Sequence, residues 1–510
     1  MPRFKHKYIF FVAFCVGMCI MAIELTAARL LAPYFGTSLF VWTNVIAIIM
    51  IALSVGYYLG GRLSERRHDI SLLLKIIIFA GLLSFIIPFI IQPVALHVLK
   101  DFGAMSRASV VILFGSFLVT SFLFFAPIMF LGMVSPFLIK VLSLTKKDAG
   151  AAAGSIFAVS TVGSIVGTFL PSLVFIPWVG SKKTILIFAL VLIFVAVFGL
   201  ARRKKYVWLA ALFLLIGPFA ISQDLRHEQN TALETESAYQ YIRVLENQGM
   251  RQLVYNEGMG IQSVYAPDKV MTGHMYFDVM AAAPALLESN DIRVLNIGLA
   301  GGTVVRSMSY LFEDEKNMSI DGVEIDNKVI DIAREYFDLN IPNLNIYNED
   351  GRIFTRFAKD KYDIILVDAY SNQIYIPWHM TTAEFFQDLR RILQKGGFVA
   401  MNINATSEDS ELFGAITNTL AKVFPRVYSA PVRNSFNYLV FASMQEIDFE
   451  KFKQNQRVMD EPGLAEMIDH LTENAGVINF NPQKIVLTDD RAPIEHLTDF
   501  MYLKYVINEL

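Results

Sequence analysis

The sequence predicts a two-part fold: an N-terminal multi-pass α-helical membrane bundle, then a C-terminal α/β Rossmann-like domain that opens with a β-hairpin. Three observations support it. Of the 510 residues, 54% are hydrophobic, which is too many for an ordinary soluble protein, and long apolar runs fill the first part of the chain. The second part alternates strand-like and helix-like stretches, as in a parallel sheet covered by helices. The glycine turn VLNIGLAGGTVV, 294–305, follows the first strand of that alternation.

The apolar runs of the first part approach the roughly twenty residues that cross a bilayer. The fourth run contains Pro127 and Pro136, so we expect it to kink or to divide, which leaves an eighth span open. The first run is too long for a cleaved signal peptide. The sequence thus predicts about seven spans, at 8–29, 40–60, 72–96, 108–142, 153–178, 184–201 and 206–222.

Basic residues in alternate loops place the N-terminus in the cytoplasm. Seven spans would then put the second part outside the cytoplasm, away from the usual nucleotide pool, so the side on which this part lies stays open. The net charge of −3 gives no reason to expect nucleic acid as a partner. Apart from small molecules, the lipid bilayer is therefore the partner that the sequence predicts.

Two features inside the bundle invite a functional interpretation. GSIVG, 163–167, has the small-residue spacing that lets two helices approach closely, and it predicts packing rather than transport. Glu24 and Arg29 lie near the end of the first span, where they can reach interfacial water, so we expect a structural role. Cys15 and Cys19 are expected to serve helix packing rather than to form a disulfide or a metal pair.

The domain boundaries follow the change in composition. We predict a transmembrane domain at 1–222, a polar linker at 223–235 and a nucleoside-binding catalytic domain at 236–510. LVYNEGMGIQSVYAP predicts a hairpin that turns at 256–260. The strands expected after it are RVLNIGL, IDGVEID, LNIYNED, YDIILVDAY and GGFVAMNIN.

Three carboxylates stand where the strands of the predicted sheet end. Glu324 closes the second strand about twenty residues after the glycine turn, where an acidic side chain can accept both hydroxyl hydrogens of a ribose. Asp350 ends the third strand and Asp368 the fourth. Each one alone could be a solvated turn residue. In register with a glycine turn they predict a nucleoside site, whose backbone wall would contain Gly298, Gly301 and Gly302.

A family resemblance runs through both parts. The region from about Glu236 to Leu503 resembles the spermidine synthase (polyamine aminopropyltransferase) family, and ELTAARLLAPYFGTS and GYYLGGRLSER resemble the first spans of its membrane-anchored branch. The motifs occur in the family's order: AYQYIRV, GIQSVY, MYFDVM, VEID, NEDG, VDAY, PWHMTTAEFF and LQKGG.

The resemblance implies a fold like that of S-adenosylmethionine-dependent methyltransferases and no tightly bound cofactor. Family members transfer a propylamine group from decarboxylated S-adenosylmethionine, as co-substrate, to putrescine or a related amine, and they release methylthioadenosine. The cytoplasm is then the side expected for the catalytic domain, because the co-substrate is made there. A homodimer is left open.

Site residues follow from the resemblance by matching positions. Gln240 matches the glutamine that touches the nucleoside, Glu324 the residue that holds the ribose, and Asp350 with Gly351 the adenine side. Tyr276 matches a tyrosine that lines the diamine site. Asp368 matches the first aspartate of the family's D-x-x-D-P loop.

Several positions depart from the family pattern. The second aspartate of that loop, the family's proton acceptor, falls on Ser371, and the family's YHE becomes Tyr276-Phe277-Asp278. The glycine turn also lacks the family's acidic residue. A free alkylamine has a pKa near 10, so a nearby base is expected. Asp368 and Asp278 are the remaining candidates to hold the amine.

The remaining polar residues give weaker signals. Asp489 and Asp490 are expected to cap a helix, with folding over the acceptor pocket as the alternative. His274 and His379 lack the spacing of metal ligands, so no metal site is predicted. Two other functions stay open: a methyltransferase or cleavage enzyme that uses ordinary S-adenosylmethionine, and a transporter or sensor whose soluble domain only binds a nucleoside or polyamine.

Overall fold

The chain divides into two compact units. A computed structural model describes residues 6–37, 39–103, 108–144, 148–200, 230–258, 260–370, 374–461 and 463–508. Unit 1 comprises Met1–Gln229 with Glu234–Ile242, and unit 2 comprises Asn230–Leu233 with Arg243–Leu510. The predicted span 206–222 lies outside the described residues, as does most of the predicted linker.

The part of unit 1 that the structure describes between residues 6 and 200 is mainly helical. Five helical stretches among the described residues are long and apolar enough to cross a membrane, the last of them 52 residues long. The fourth predicted run forms two helices that meet at Met133, and a left-handed Gly180 with φ of 77° interrupts the last stretch. The helices are α1 (His6–Phe35), α2 (Leu39–Arg66), α3 (Ile70–Gly103), α4 (Ala108–Gly132), α5 (Val134–Ser143), α6 (Ala149–Leu170) and α7 (Ile176–Leu200), with a π-helical turn at Pro171–Phe175.

Small residues let α1 and α6 touch backbone to backbone. A Cβ atom on Gly163 would lie 2.1 Å from the backbone oxygen of Phe14, and one on Gly167 would lie 2.0 Å from that of Met18. Contact this close excludes any side chain at either position. The packing role predicted for GSIVG is confirmed.

The segment Glu234–Ile242 belongs to unit 1 through two polar contacts. Arg29 near the end of α1 donates a hydrogen bond to the backbone oxygen of Ala238. Glu236 is buried and accepts from both the backbone N–H and the hydroxyl of Ser181, the hydroxyl at 2.6 Å, in the first turn after the Gly180 break. Glu236 thus satisfies an N–H group at a helix start that would otherwise lack a partner, and Arg29 has a structural contact, as the sequence predicted.

Two sheets follow. A four-stranded sheet has the order β1-β2-β3-β4, and an eight-stranded sheet has the order β12-β10-β11-β9-β8-β5-β6-β7. The strands are β1 (Thr231–Glu236), β2 (Tyr241–Asn247), β3 (Met250–Tyr255), β4 (Ile261–Tyr265), β5 (Asp291–Ile297), β6 (Asn317–Glu324), β7 (Leu344–Asn348), β8 (Tyr362–Val367), β9 (Leu393–Asn404), β10 (Arg426–Pro431), β11 (Asn437–Ser443) and β12 (Gly476–Val477).

One part of the predicted linker is structured. Residues 231–235, expected to be irregular, form most of β1. TALETE is polar and therefore resembles a linker in composition, but an edge strand paired on one side only tolerates polar residues on both faces. The predicted hairpin is present, because β3 and β4 pair antiparallel on either side of the turn at 256–260.

The helices of unit 2 connect the strands of the large sheet. They are α8 (Tyr276–Ala281), α9 (Thr303–Phe312), α10 (Asn327–Tyr336), α11 (Gly351–Phe357), α12 (Ala383–Ile392), α13 (Glu411–Val423), α14 (Glu450–Gln454), α15 (Gln456–Asp460), α16 (Leu464–Asn474) and α17 (Ile494–Asn508), with short 3₁₀ turns at Ala283–Leu286 and Trp378–Met380.

The large sheet has the predicted Rossmann-like architecture. Strands β7, β6, β5, β8 and β9 run parallel, whereas β11 and β10 add an antiparallel pair beyond β9. Successive residues of a strand face opposite sides of the sheet. Val294 therefore enters one hydrophobic core and Leu295 the other. The fold class predicted for the second part, a methyltransferase-like α/β domain, is confirmed.

Candidate functional site

The carboxyl ends of the parallel strands bring the predicted site residues to one edge of the sheet. β5 is followed by Gly298, β6 ends at Glu324, and β8 is followed by Asp368. β7 ends two residues before Asp350. Parallel neighbouring strands end on the same side, so the four positions, which the sequence placed at the ends of predicted strands, share one edge.

The glycine turn is shaped by packing within the protein. Gly298 has a φ of 88°, and a Cβ atom there would lie 2.3 Å from the backbone oxygen of Asp368. Gly302 has a φ of 79°, and Leu339 occupies the space that its side chain would need. A Cβ atom on Gly301 would lie 2.7 Å from the Cβ of Ser263. These contacts require glycine without any ligand, so the cofactor contact of the three residues stays a prediction.

Glu324 is held at this edge by two backbone donors. Its side chain is buried and accepts hydrogen bonds from the backbone N–H of Ala300, at 2.9 Å, and of Asp326, at 3.1 Å. Desolvation by burial raises the pKa of Glu324 to about 7, even though both N–H groups favour the ionised form. An oriented carboxylate with lone pairs to spare can accept the two hydroxyl hydrogens of a ribose.

Asp350 starts α11 and faces a histidine. One carboxylate oxygen accepts the backbone N–H of Ile353, at 3.0 Å, and the other lies 3.6 Å from Nε2 of His379. The nearby imidazole of His379 holds the pKa of Asp350 below its usual value. Gly351 is required here because a Cβ atom would lie 2.5 Å from Cγ2 of Ile297. An ionised Asp350 can accept a hydrogen bond from an exocyclic amine.

Asp368 is held between two hydrogen-bond donors. The hydroxyl of Tyr276 donates to Oδ2 at 2.9 Å, and Nδ2 of Asn402 donates to Oδ1 at 3.0 Å. Desolvation raises the pKa of Asp368 to about 6, while both donors act to lower it. The structure therefore joins Tyr276 and Asp368, two residues predicted separately, and adds Asn402 to them.

A chain of hydrogen bonds supports Asn402 from behind. The hydroxyl of Tyr370 donates to the backbone oxygen of Asn402 at 3.1 Å and accepts from the backbone N–H of Asn404 at 3.0 Å. Tyr502 of α17 then donates to the side-chain oxygen of Asn404 at 2.6 Å. The end of β9 is thereby tied to the loop after β8 and to the C-terminal helix.

The other predicted residues have different surroundings. Both oxygens of the fully buried Asp278 accept backbone N–H groups, those of Thr272 and Gly273, which favours a role in holding that loop. Asp489 accepts hydrogen bonds from Arg352 and from Thr382, the first residue before α12. None of these hydrogen bonds of Asp278 and Asp489 involves Asp368.

Two predicted residues cannot be placed at this edge. Ser371 lies outside the described residues. Gln240 precedes β2 in the segment that belongs to unit 1, where its backbone N–H donates to the hydroxyl of Ser237 at 3.0 Å. The nucleoside contact of Gln240 stays a prediction.

The raised pKa of Glu324 predicts that nucleoside binding depends on pH. The ionised carboxylate is the form that would accept both ribose hydroxyls, and with a pKa of about 7 it becomes the major form only above that pH. Affinity for methylthioadenosine should therefore increase about tenfold from pH 6 to pH 8, with proton release on binding near pH 7. Calorimetry in buffers of different ionisation enthalpy measures both; equal affinity at the two pH values would contradict the assignment.

Comparison with known proteins adds sequence relatives to this geometry. A family model described as "Spermine/spermidine synthase domain" matches residues 273–454. A "Probable polyamine aminopropyl transferase" of Bifidobacterium longum is 34% identical over 53% of this chain and 63% of its own length. A "Polyamine aminopropyltransferase" of Vibrio vulnificus is 31% identical over 48% of this chain and 81% of its own length.

A further relative aligns through the apolar half as well. "Polyamine aminopropyltransferase 2" of Aquifex aeolicus is 21% identical over 87% of this chain and 89% of its own length. Among solved structures, a probable spermidine synthase from Corynebacterium glutamicum is 17% identical with a TM-score of 0.42, covering 51% of this chain and 96% of that one. The spermidine synthase from Thermotoga maritima is 23% identical with a TM-score of 0.39, covering 48% of this chain and 84% of that one.

Proposed function

We propose that this chain, which belongs to the polyamine aminopropyltransferase family, transfers an aminopropyl group from decarboxylated S-adenosylmethionine to putrescine or a related amine. Membership of the family confirms the predicted enzyme class. The observation that carries the proposal is the Asp368 carboxylate, held by Tyr276 and Asn402 at the sheet edge where Glu324 also ends its strand.

The proposed reaction is a single displacement at the sulfonium. The amine nitrogen attacks the aminopropyl carbon bonded to sulfur, a C–N bond forms, and the C–S bond breaks with its electron pair returning to sulfur. Methylthioadenosine leaves as a neutral thioether. The attacking nitrogen must be unprotonated and must lose a proton once it is alkylated, so the site needs a base near it.

Asp368 is the base proposed for this step. Its pKa of about 6 leaves it mostly ionised at neutral pH, yet closer to the operating range than an ordinary aspartate. Tyr276 and Asn402 each donate to one of its oxygens, which fixes the carboxylate plane. Each oxygen keeps a further lone pair, so Asp368 can accept an N–H of the amine, directly or through one water.

Asn402 is proposed as a second acceptor for the amine. Its side chain is 2% exposed, and its oxygen Oδ1 accepts no hydrogen bond from the described residues. Because Oδ1 is bonded to the same carbon as the nitrogen that binds Asp368, it lies beside that carboxylate. A buried carbonyl oxygen without a donor is unfavourable, and an N–H of a bound amine would satisfy it.

The nucleoside is proposed to lie along the same edge of the sheet. Glu324 would accept the ribose hydroxyls, and Asp350 would accept the adenine amino group. The nucleoside could approach the backbone closely at four residues without side chains, which are Gly298, Gly301, Gly302 and Gly351. Support for this arrangement comes from the orientation of Glu324 by two backbone N–H groups and of Asp350 by the start of α11.

A choice between two nucleosides tests the proposed co-substrate. The purified full-length chain, given putrescine and equal amounts of decarboxylated and ordinary S-adenosylmethionine, is expected to release methylthioadenosine from the decarboxylated form and no S-adenosylhomocysteine. Chromatography of the nucleosides measures both products. S-adenosylhomocysteine as the main product would identify a methyltransferase, and binding with no turnover of either nucleoside would favour a sensor.

A further inference from the structure

Helix α11 presents large apolar side chains to solvent. Phe357 is 72% exposed and Ile353 is 48% exposed; among the large apolar residues described in unit 2, Phe357 is the most exposed. Positions four apart lie on one face of a helix, so these two side chains are neighbours. The opposite face is buried through Gly351 and Thr355. The exposed apolar side chains of α11 therefore lie on one face of the helix, which contains Ile353 and Phe357.

The helix that carries this face is firmly held. Phe354 packs against Tyr347 with ring centroids 4.9 Å apart. Arg391 donates to the backbone oxygens of Thr355, Arg356 and Ala358 at 2.7 to 2.9 Å, which satisfies carbonyl groups at the end of the helix. A rigid helix that leaves a phenylalanine in water retains an unfavourable exposure of apolar surface.

Basic residues surround the apolar pair. Arg356 lies three residues after Ile353 and hence on the same side of the helix. Lys359 and Lys361 stand two and four residues after the last residue of the helix, and all three basic residues are exposed. The acidic residue between them, Asp360, forms an ion pair with Arg293 at 3.1 Å. We call Ile353, Arg356, Phe357, Lys359 and Lys361 the α11 ridge; its net formal charge is +3.

We propose that the α11 ridge is a membrane-contact surface whose partner is the headgroup layer of an anionic bilayer. Apolar side chains flanked by Arg and Lys are the composition that lies in a bilayer interface, with the rings below the headgroups and the cations among them. Unit 1 has helices long and apolar enough to cross a membrane, and a chain anchored by them would stay beside a bilayer. An acidic lipid is thus both the chemical complement of the ridge and its nearest abundant neighbour.

A depth measurement on the full chain tests the proposal. A nitroxide is attached to Phe357→Cys in a chain that also carries Cys15→Ala and Cys19→Ala, reconstituted in nanodiscs of phosphatidylcholine with and without phosphatidylglycerol. Oxygen concentrates in the acyl region and a nickel chelate stays in water. We expect oxygen collisions to exceed nickel collisions in the anionic discs, and this order to reverse as salt shortens the Debye length from about 10 Å at 0.1 M to about 3 Å at 1 M.

Val477→Cys in the same background is the matched control. Val477 is 60% exposed, and no Lys or Arg stands within six positions of it. The same label there should favour nickel in every disc. In the labelled chain, Arg356→Gln, Lys359→Gln and Lys361→Gln together should return the Phe357→Cys position to the behaviour of the control.

Three results would overturn the proposal. The first is nickel access at position 357 equal to that at position 477 in anionic discs, and the second is exclusion of both reagents from position 357, which would indicate a protein partner. Hydrogen exchange of the unmodified chain supplies a readout free of substitutions. Slower exchange across 351–361 in the anionic discs than in the neutral ones is expected, and equal exchange is the third contradicting result.

Discussion

Replacing Asp368 by asparagine is expected to lower kcat by about 10²- to 10⁴-fold, which is the usual contribution of a general base. The amide keeps the shape of the carboxylate and one oxygen acceptor for Tyr276 or Asn402, but it removes the basic group. Affinity for methylthioadenosine should hardly change, because Glu324 and Asp350 remain. Steady-state kinetics and calorimetry on the same preparation separate the two effects.

Asp363→Asn provides the matched control for this substitution. Asp363 lies on β8 as well, but it accepts the backbone N–H of Arg293 near the start of the strand, at the opposite edge of the sheet. The same chemical change there should leave kcat close to that of the unmodified enzyme. An Asp368→Asn enzyme as active as the Asp363→Asn enzyme would remove Asp368 from the chemical step.

The pH profile gives the same substitution a second readout. The pKa of Asp368 is raised to about 6 in the protein, so its base form is lost as the pH falls through 6. In the unmodified enzyme saturated with the nucleoside, where the titration of Glu324 (pKa about 7) no longer limits binding, kcat/KM for the amine should decline on the acid side with an inflection near 6. In Asp368→Asn this inflection should be absent from the residual activity, whereas a merely structural Asp368 would leave it in place.

Replacing Glu324 by alanine is expected to weaken methylthioadenosine binding by about 1–3 kcal/mol, roughly 5- to 150-fold, because the ribose hydroxyls lose their acceptor. The substitution also leaves the N–H groups of Ala300 and Asp326 without their partner. Glu324→Gln retains one oxygen that can accept a backbone N–H group of Ala300 or Asp326, so this variant should lose less affinity for methylthioadenosine than Glu324→Ala. Calorimetry measures the dissociation constant of methylthioadenosine for the full-length unmodified chain, for Glu324→Ala and for Glu324→Gln.

Glu335→Ala is the control for the loss of a carboxylate from unit 2. Glu335 is exposed on α10, eleven residues after Glu324, and its removal should leave the affinity unchanged. Thermal unfolding of each variant shows whether the protein remains folded. A folded Glu324→Ala chain that binds the nucleoside as tightly as Glu335→Ala would contradict the ribose role.

Much of the fold was predictable because it depends on local pattern. Apolar run length indicated the long apolar helices of unit 1, and the glycine spacing of GSIVG indicated the close contact of α6 with α1, since both depend only on helix geometry. The antiparallel strands β10 and β11 and the edge strand β1 were not predicted. Strand pairing and register depend on partners far away in the chain, and TALETE has no apolar face that would reveal a strand.

The site shows the same division. Glu324, Asp350 and Asp368 were predictable because the ends of parallel strands meet at one edge. Asn402 was missed, because it lies inside the apolar strand FVAMNIN and does not titrate. Its place near the carboxyl end of β9 is the kind of signal that selected Asp368 after β8. The engagement of Asp278 by Thr272 and Gly273 depends on the path of a loop that no local pattern specifies.

Label transfer tests the central claim, aminopropyl transfer at the edge that joins Glu324 and Asp368, most directly. Decarboxylated S-adenosylmethionine carrying heavy isotope in its aminopropyl carbons is incubated with putrescine and the full-length chain, and the amines and nucleosides are analysed by mass spectrometry. The proposed function predicts one labelled aminopropyl group on the amine for each methylthioadenosine released, and formation of both products slowed about 10²- to 10⁴-fold in Asp368→Asn. Methylthioadenosine without a labelled polyamine, or equal transfer by Asp368→Asn, would contradict it.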